Sequence, residues 1–155
     1  MKLPAKERLI SMLQAYVSDP DYHGWDAQLV RDDYTFVTVD DEVGATAIEA
    51  EIKPYMCNGA GNLHGGAAAT IMDNLTSTAL MVLSRPGKME YGTVTRNLAV
   101  TILRPVKMGT RVRIESEVVS VGKTLANVQG WIKTLDGKVC VTCSHDKAIV
   151  SGPKL

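Results

Sequence analysis

Eighteen consecutive residues at positions 66–83, reading GAAATIMDNLTSTALMVL, constrain this chain more than any other stretch. They have the Ala, Met and Leu content of a good helix, and their few polar side chains are Thr70, Asp73, Asn74, Thr76, Ser77 and Thr78. A helix with so little polar surface must meet protein around most of its circumference. A glycine-rich turn precedes it, and Arg85-Pro86-Gly87 stops it. The rest of the chain has to supply a wrapping.

That wrapping reads as strands. Positions 28–39 and 44–52 alternate apolar and polar residues, joined by a turn at Asp40, Asp41, Glu42 and Gly44. Pro54 ends the extended run. After the helix come four further extended segments, 93–103, 111–121, 125–133 and 138–150, with turns at 107–109, at Gly122-Lys123 and at Asp136-Gly137, the last a strong hairpin signal. Two strands, one buried helix and four strands predict an α+β domain in which an antiparallel six-stranded sheet curls around the helix. Near the start, Leu9, Leu13, Tyr16 and Val17 fall at helical spacing and predict an N-terminal surface helix.

The 155 residues, 45% hydrophobic and 22% charged, suit one domain over 1–155 with a real core. Seventeen basic residues balance seventeen acidic ones, which leaves no global field to draw the chain to nucleic acid or to an anionic membrane. No apolar run reaches membrane-spanning length. The odd set Cys57, Cys140 and Cys143 argues against a disulfide framework and for a reducing compartment, the cytosol by default. Glu7 weighs against a mitochondrial presequence, leaving the mitochondrion as the alternative.

Chemistry concentrates in Asn58 to Asp73, NGAGNLHGGAAATIMD. Unpaired N–H groups at a helix start can hold developing negative charge. Asn58 and His64 place polar side chains beside that start, and Asp73 offers a base further along. Gly65 and Asp73 are eight positions apart, about 12 Å of helix rise, whereas a base and an oxyanion donor must both lie within roughly 3 Å of the reacting atoms. The simplest solution is a two-fold dimer in which the glycine end of one helix faces the acid of its mate. Asp73 lies beside Ile71, Met72 and Leu75, and partial desolvation there would raise its basicity.

Other spellings are weaker. The segment 59–64 lacks the last glycine of GxGxxG, and no βαβ pattern follows. HGG without a GxSxG elbow does not make an α/β-hydrolase. Cys140 and Cys143 are three apart on a strand, so they are expected on opposite faces, and no second CxxC completes a zinc site. His23 and His145 read as isolated. Bland roles also stand beside the functional ones: packing for Gly65 and Gly66, capping for His64, a turn for Asn58, a cation-paired helix residue for Asp73, a plain strand residue for Thr95, and solvated charge for Arg104 and Lys123.

Asn58, the Leu63-His64-Gly65-Gly66 run, Ala69-Thr70, Asp73-Asn74, the strand 94–103 followed by Arg104-Pro105, and the Gly122-Lys123-Thr124-Leu125 turn together resemble a hotdog-fold thioesterase. The nearest group includes the small phenylacetate-pathway thioesterases and the acyl-CoA thioesterase 13 proteins. The resemblance implies hydrolysis of acyl-CoA by a homodimer, often paired into a homotetramer, with no metal and no cofactor, CoA being part of the substrate. It also implies roles. Asn58 and the Gly65 N–H would polarise the thioester carbonyl, Asp73 of the other subunit would activate water, Thr95 would orient that water, and His64 would lie close to the thioester. Arg104, Pro105 and Lys107, with Val121, Gly122, Lys123 and Thr124, would meet the CoA moiety. Gly122 is read as permitting a tight turn. Members of the family often carry Ser where this chain has Thr95.

Such chemistry suits these residues, because a thiol of ordinary pKa near ~8.5 leaves readily as thiolate and needs no strong acid. Two other functions compete: a hotdog hydratase or dehydratase, and a non-catalytic acyl-CoA-binding module. Met72, Met81 and Met89 offer adaptable apolar lining for an acyl chain.

Overall fold

The computed structural model describes residues 4–31 and 34–152, with the Tyr16 side chain outside the described part. Helix α1 covers Ala5–Val17 and a single helical turn α2 covers Ala27–Val30. Strands β1 (Thr35–Asp40) and β2 (Ala45–Glu51) precede a 3-10 turn at Pro54–Met56 and the long helix α3 (Gly65–Met81). Strands β3 (Thr93–Ile102), β4 (Arg111–Val121), β5 (Leu125–Thr134) and β6 (Val139–Ile149) complete the chain.

The six strands form one antiparallel sheet in the order β1-β2-β4-β5-β6-β3, curved around α3. Alternation along β4, β5 and β6 turns Val112, Ile114, Ile132 and Cys143 inward against Ile71, Met72 and Leu75 of α3. The helix approaches β5 so closely that a Cβ on Gly130 would stand 2.4 Å from Met72 Cε and 2.5 Å from Thr76 Cγ2. Glycine is required there by space. Two of the polar residues on α3 are fully buried and bonded: Thr78 meets Thr46 of β2 at 2.9 Å, and Thr76 meets His145 of β6. Strands β1 and β3 are the sheet edges.

Three expectations change. Residues 28–30 are not extended: they belong to α2, where Val30 N–H donates to the Asp26 carbonyl at 2.9 Å, and the strand begins only at Thr35. Positions 32–33 of that predicted strand lie outside the described residues. On α1, Leu9 is buried and Leu13 partly so, but Val17 at the helix end is exposed. Cys140 and Cys143 do not face apart. Both are buried in one core cluster, because Cys140 is an unpaired extra residue between Val139, which pairs with Lys133, and Val141, which pairs with Ile132.

Candidate active site

The start of α3 is built by its preceding loop. Asn58 Oδ1 accepts from the N–H groups of Ala60 (3.0 Å) and Asn62 (3.2 Å), which folds the loop back on itself. Because the oxygen is committed to the turn, the Nδ2 donor of this exposed side chain points away from it. His64 is the N-cap of α3, and its Nδ1 accepts from Gly66 N–H at 2.9 Å. In the neutral ring that leaves Nε2 to carry the proton. The Gly65 N–H heads the helix, where no intrahelical acceptor exists, and the residue is exposed. A Cβ there would press on Ile102 Cδ1 at 3.3 Å.

Two turns further along α3, Asp73 meets the opposite end of β3. Thr95 Oγ1 donates to Asp73 Oδ1 at 2.6 Å, and His145 Nε2 stands 3.2 Å from the same oxygen and 2.9 Å from Thr95 Oγ1. Thr76 spends its only proton on the Met72 carbonyl at 2.5 Å, so its oxygen accepts from His145 Nδ1 at 2.6 Å. These bonds orient the imidazole edge toward the carboxylate. Lys147 adds a buried ammonium, 2.7 Å from Ser77 Oγ and 3.4 Å from Thr95 Oγ1.

This setting overturns the expected direction of the Asp73 shift. The His145 hydrogen bond is the largest cause in lowering its pKa from 3.8 to about 2; partial burial pushes upward, and the Thr95 bond and the Lys147 charge add to the downward side. Asp73 is thus a carboxylate at any working pH. Burial, with Asp73 itself as the second cause, pushes the Cys143 thiol up to about 11, which makes it a poor nucleophile.

Asp73, Thr95 and Lys147 line an open cavity of about 1040 Å³ that runs under α1, with Leu13, Met81 and Met89 on its apolar side. Met72 is not part of it. That side chain is fully buried against β5, so of the three methionines only Met81 and Met89 can serve as lining.

The remaining candidates divide between the two ends of the sheet. Arg104, Pro105 and Lys107 lie beside the Asn58 loop: Leu63 N–H donates to the Val106 carbonyl at 2.7 Å, and Asn62 and Lys107 form a β-bridge. Arg104 Nη1 is tied to the Val139 carbonyl. Val121, Gly122, Lys123 and Thr124 lie at the Asp73 end, where the Thr124 carbonyl accepts from Ile149 N–H at 2.8 Å. The Val121 side chain packs into the core. Gly122 is outside the left-handed region, and a Cβ on it would meet Leu125 O at an ordinary 3.5 Å, so the turn does not need glycine. Within one chain, then, Asp73 joins Thr95 and the 121–124 turn, while Asn58, His64 and Gly65 join the 104–107 loop.

Sequence reasoning missed His145 and Lys147. The available signal was their alternation with Cys143 on one face of β6, since a histidine and a lysine on the inward face of a core strand must find polar partners. Among the described residues no group of three or more His, Cys, Asp or Glu side chains could hold a metal ion, and no helix is long and apolar enough to cross a membrane.

The family model of the thioesterase superfamily matches residues 60–141. Human acyl-coenzyme A thioesterase 13 is 34% identical over 85 residues, 54% of this chain and 56% of that protein; the chain therefore spans about half the length of the curated relatives it matches. Among solved structures, thioesterase superfamily member 2 of Mus musculus superposes with a TM-score of 0.79 at 23% identity, covering 96% of this chain and 100% of the other. A hypothetical thioesterase of Streptococcus pneumoniae, solved with coenzyme A, superposes with a TM-score of 0.69 at 19% identity, covering 79% and 89%. At these identities the structures show the shared hotdog fold.

Proposed function

Because the chain belongs to the thioesterase superfamily, we propose that it hydrolyses acyl-CoA thioesters to free acid and CoA, with each reaction centre assembled from two copies. The observation that carries this reading is the Asp73 carboxylate, held by Thr95 and faced by His145, at the wall of a largely apolar cavity.

The edge strand supplies a way to join the half-sites. Strand β3 runs beside α3 with Thr95 next to Asp73 at one end and Ile102 next to Gly65 at the other. Its free edge is ten residues long, with Val94 and Ile102 half exposed, which makes it a template for pairing. Antiparallel pairing of two such edges about a two-fold axis lays the Thr95 end of one copy over the Ile102 end of the other. Asp73 of one copy then faces Asn58, His64 and Gly65 of its mate. The same operation brings the 121–124 turn of one copy toward the 104–107 loop of the other, so the two CoA segments converge as well. The dimer is the functional unit, and a further pairing into a tetramer adds no residue to the centre.

In this reading Asn58 Nδ2 and the Gly65 N–H donate to the carbonyl oxygen as it gains charge. Thr95 orients the attacking water, and Asp73 takes its proton. A carboxylate at about 2 is a weak base, but substrate and second copy cover its exposed side, and the desolvation that opposes the His145 bond then grows. The His64 Nε2–H lies beside the sulfur. Thiolate departs without a dedicated acid, no metal or cofactor is called for, and the acyl chain takes the cavity past Met81 and Met89. Arg104 and Lys107, with Pro105 beside them, and the 121–124 turn with Lys123, receive the CoA phosphates and pantetheine arm. Three free cysteines suit a reducing compartment, the cytosol or the mitochondrion.

Incubation with a panel of acyl-CoAs and a thiol reagent tests the reading. Free thiol release is the expected result. Binding without release would make the protein an acyl-CoA-binding module, and change at an enoyl double bond would make it a hydratase.

A further inference from the structure

Lys147 is only 4% exposed, an unusual place for lysine. It sits on the inward face of β6, two residues beyond His145, and its side chain lines the cavity beside Asp73. An ammonium has three protons and no lone pair, so whatever oxygen it touches must accept from it. Its two partners are both hydroxyls: Ser77 Oγ at 2.7 Å and Thr95 Oγ1 at 3.4 Å. A hydroxyl has one proton. With an oxygen lone pair committed to Lys147, each is free to send that proton elsewhere, and both send it to Asp73. Ser77 Oγ donates to the Asp73 main-chain carbonyl at 2.7 Å, and Thr95 Oγ1 donates to the Asp73 carboxylate at 2.6 Å.

We propose that Lys147 is a positioning residue for the hydrolysis: its donor-only ammonium sets the direction of the Ser77 and Thr95 hydroxyls so that both hold Asp73. The alternative for Thr95, an exposed residue, is to turn its proton to solvent, which would release the carboxylate. A lysine buried merely to fill space would be served by carbonyl oxygens or by a carboxylate of its own. The partners of Lys147 instead converge on one acid. The charged and titratable groups around that acid are His145, Lys147 and Cys143 on β6, and Asp26, held through Asn74 Nδ2 at 2.6 Å.

The proposal rests on the thioesterase reading, so its test has one arm that needs no turnover. Lys147→Met keeps length and apolar bulk while removing every donor. The expected loss in kcat is roughly tenfold or more, the size of a hydrogen bond to a charged group, with KM little changed. In a Ser77→Ala/Thr95→Val background the same change should add less than about twofold, because the hydroxyls through which it acts are gone. Lys147→Leu, which also removes every donor, serves if the Met variant does not fold. In the arm without substrate, carbon NMR of the Asp73 carboxyl should show it titrating at higher pH in the variant than in the wild type, and that shift should largely vanish in the Ser77→Ala/Thr95→Val background, whereas the Lys147 charge acting directly on the acid would leave it intact. An unchanged kcat, a full multiplicative loss in the double-variant background, or an unmoved Asp73 titration would overturn the proposal. Wild-type protein that releases no thiol from any acyl-CoA would sink the hydrolase reading alone, while the titration still decides the role of Lys147.

Discussion

Thr95 and Asp73, twenty-two residues apart in the chain, join β3 to α3 through a 2.6 Å hydrogen bond in which the hydroxyl donates and the carboxylate accepts. This bond aims the acid at the sheet edge rather than into the core. Replacing the acid should therefore cost the most: Asp73→Asn is expected to lower kcat about 10²- to 10⁴-fold, the range of general base catalysis. Thr95→Val should cost less, and Thr95→Ser should retain most activity because the hydroxyl survives. Steady-state kinetics on the best acyl-CoA checks all three, and near wild-type turnover in Asp73→Asn would remove the base.

The turn bonds of Asn58 engage its Oδ1 and not its Nδ2, so the two amide atoms can be tested separately. Asn58→Asp keeps the oxygen that accepts from Ala60 and Asn62 but removes the Nδ2 donor. If that donor serves the oxyanion, the barrier should rise by at least about 2.7 to 4 kcal/mol, because repulsion between the new carboxylate and the oxyanion adds to the lost donor, with the thermal midpoint little changed. A fall confined to substrate affinity would give Asn58 a binding role instead.

Shared reaction centres predict complementation. Asp73→Asn and Asn58→Asp chains, each crippled alone, should recover about a quarter of wild-type activity when unfolded and refolded together, since half of the randomly formed dimers are mixed and each of those carries one intact centre. Activity that stays at the level of the separate variants would show that one chain supplies the whole site.

The depressed pKa of Asp73 has a consequence for stability with a definite sign. A carboxyl held at about 2 against an ordinary 3.8 stabilises the fold fully above the higher value and loses that contribution as pH falls toward the lower. The carboxylate is 41% exposed, so solvent screening trims the effect. Thermal midpoints measured from pH 6 to pH 2 should fall less steeply below about pH 4 in Asp73→Asn than in the wild type. Parallel curves would contradict the shift.

Much of this molecule was legible before any coordinate. The buried helix, the strands after it and the glycine-rich start of α3 depend on periodicity, turn residues and composition within a few positions of each other, and those are properties of a chain segment. Positions 28–30 misled because alternation continues through a short helical turn that is held by its own local bonds, Val30 to Asp26 among them. Cys140 misled because one extra residue in β6 cancels the rule of alternate faces.

The sequence by itself determined which residue types stand where along each element: an acid in the middle of a buried helix, amides at its head, a hydroxyl on β3. Only the tertiary structure decided what surrounds them. His145 reaches Thr76 and Thr95 across 69 and 50 residues, and no local pattern shows that sheet curvature carries β6 under α3 to meet them. The sign of the Asp73 shift follows from the same packing. Its apolar helix neighbours argue for a raised pKa, whereas the groups brought by β6 and β3 lower it, and the hydrogen bond from His145, 69 residues beyond Thr76 in the chain, outweighs a desolvation that is only partial.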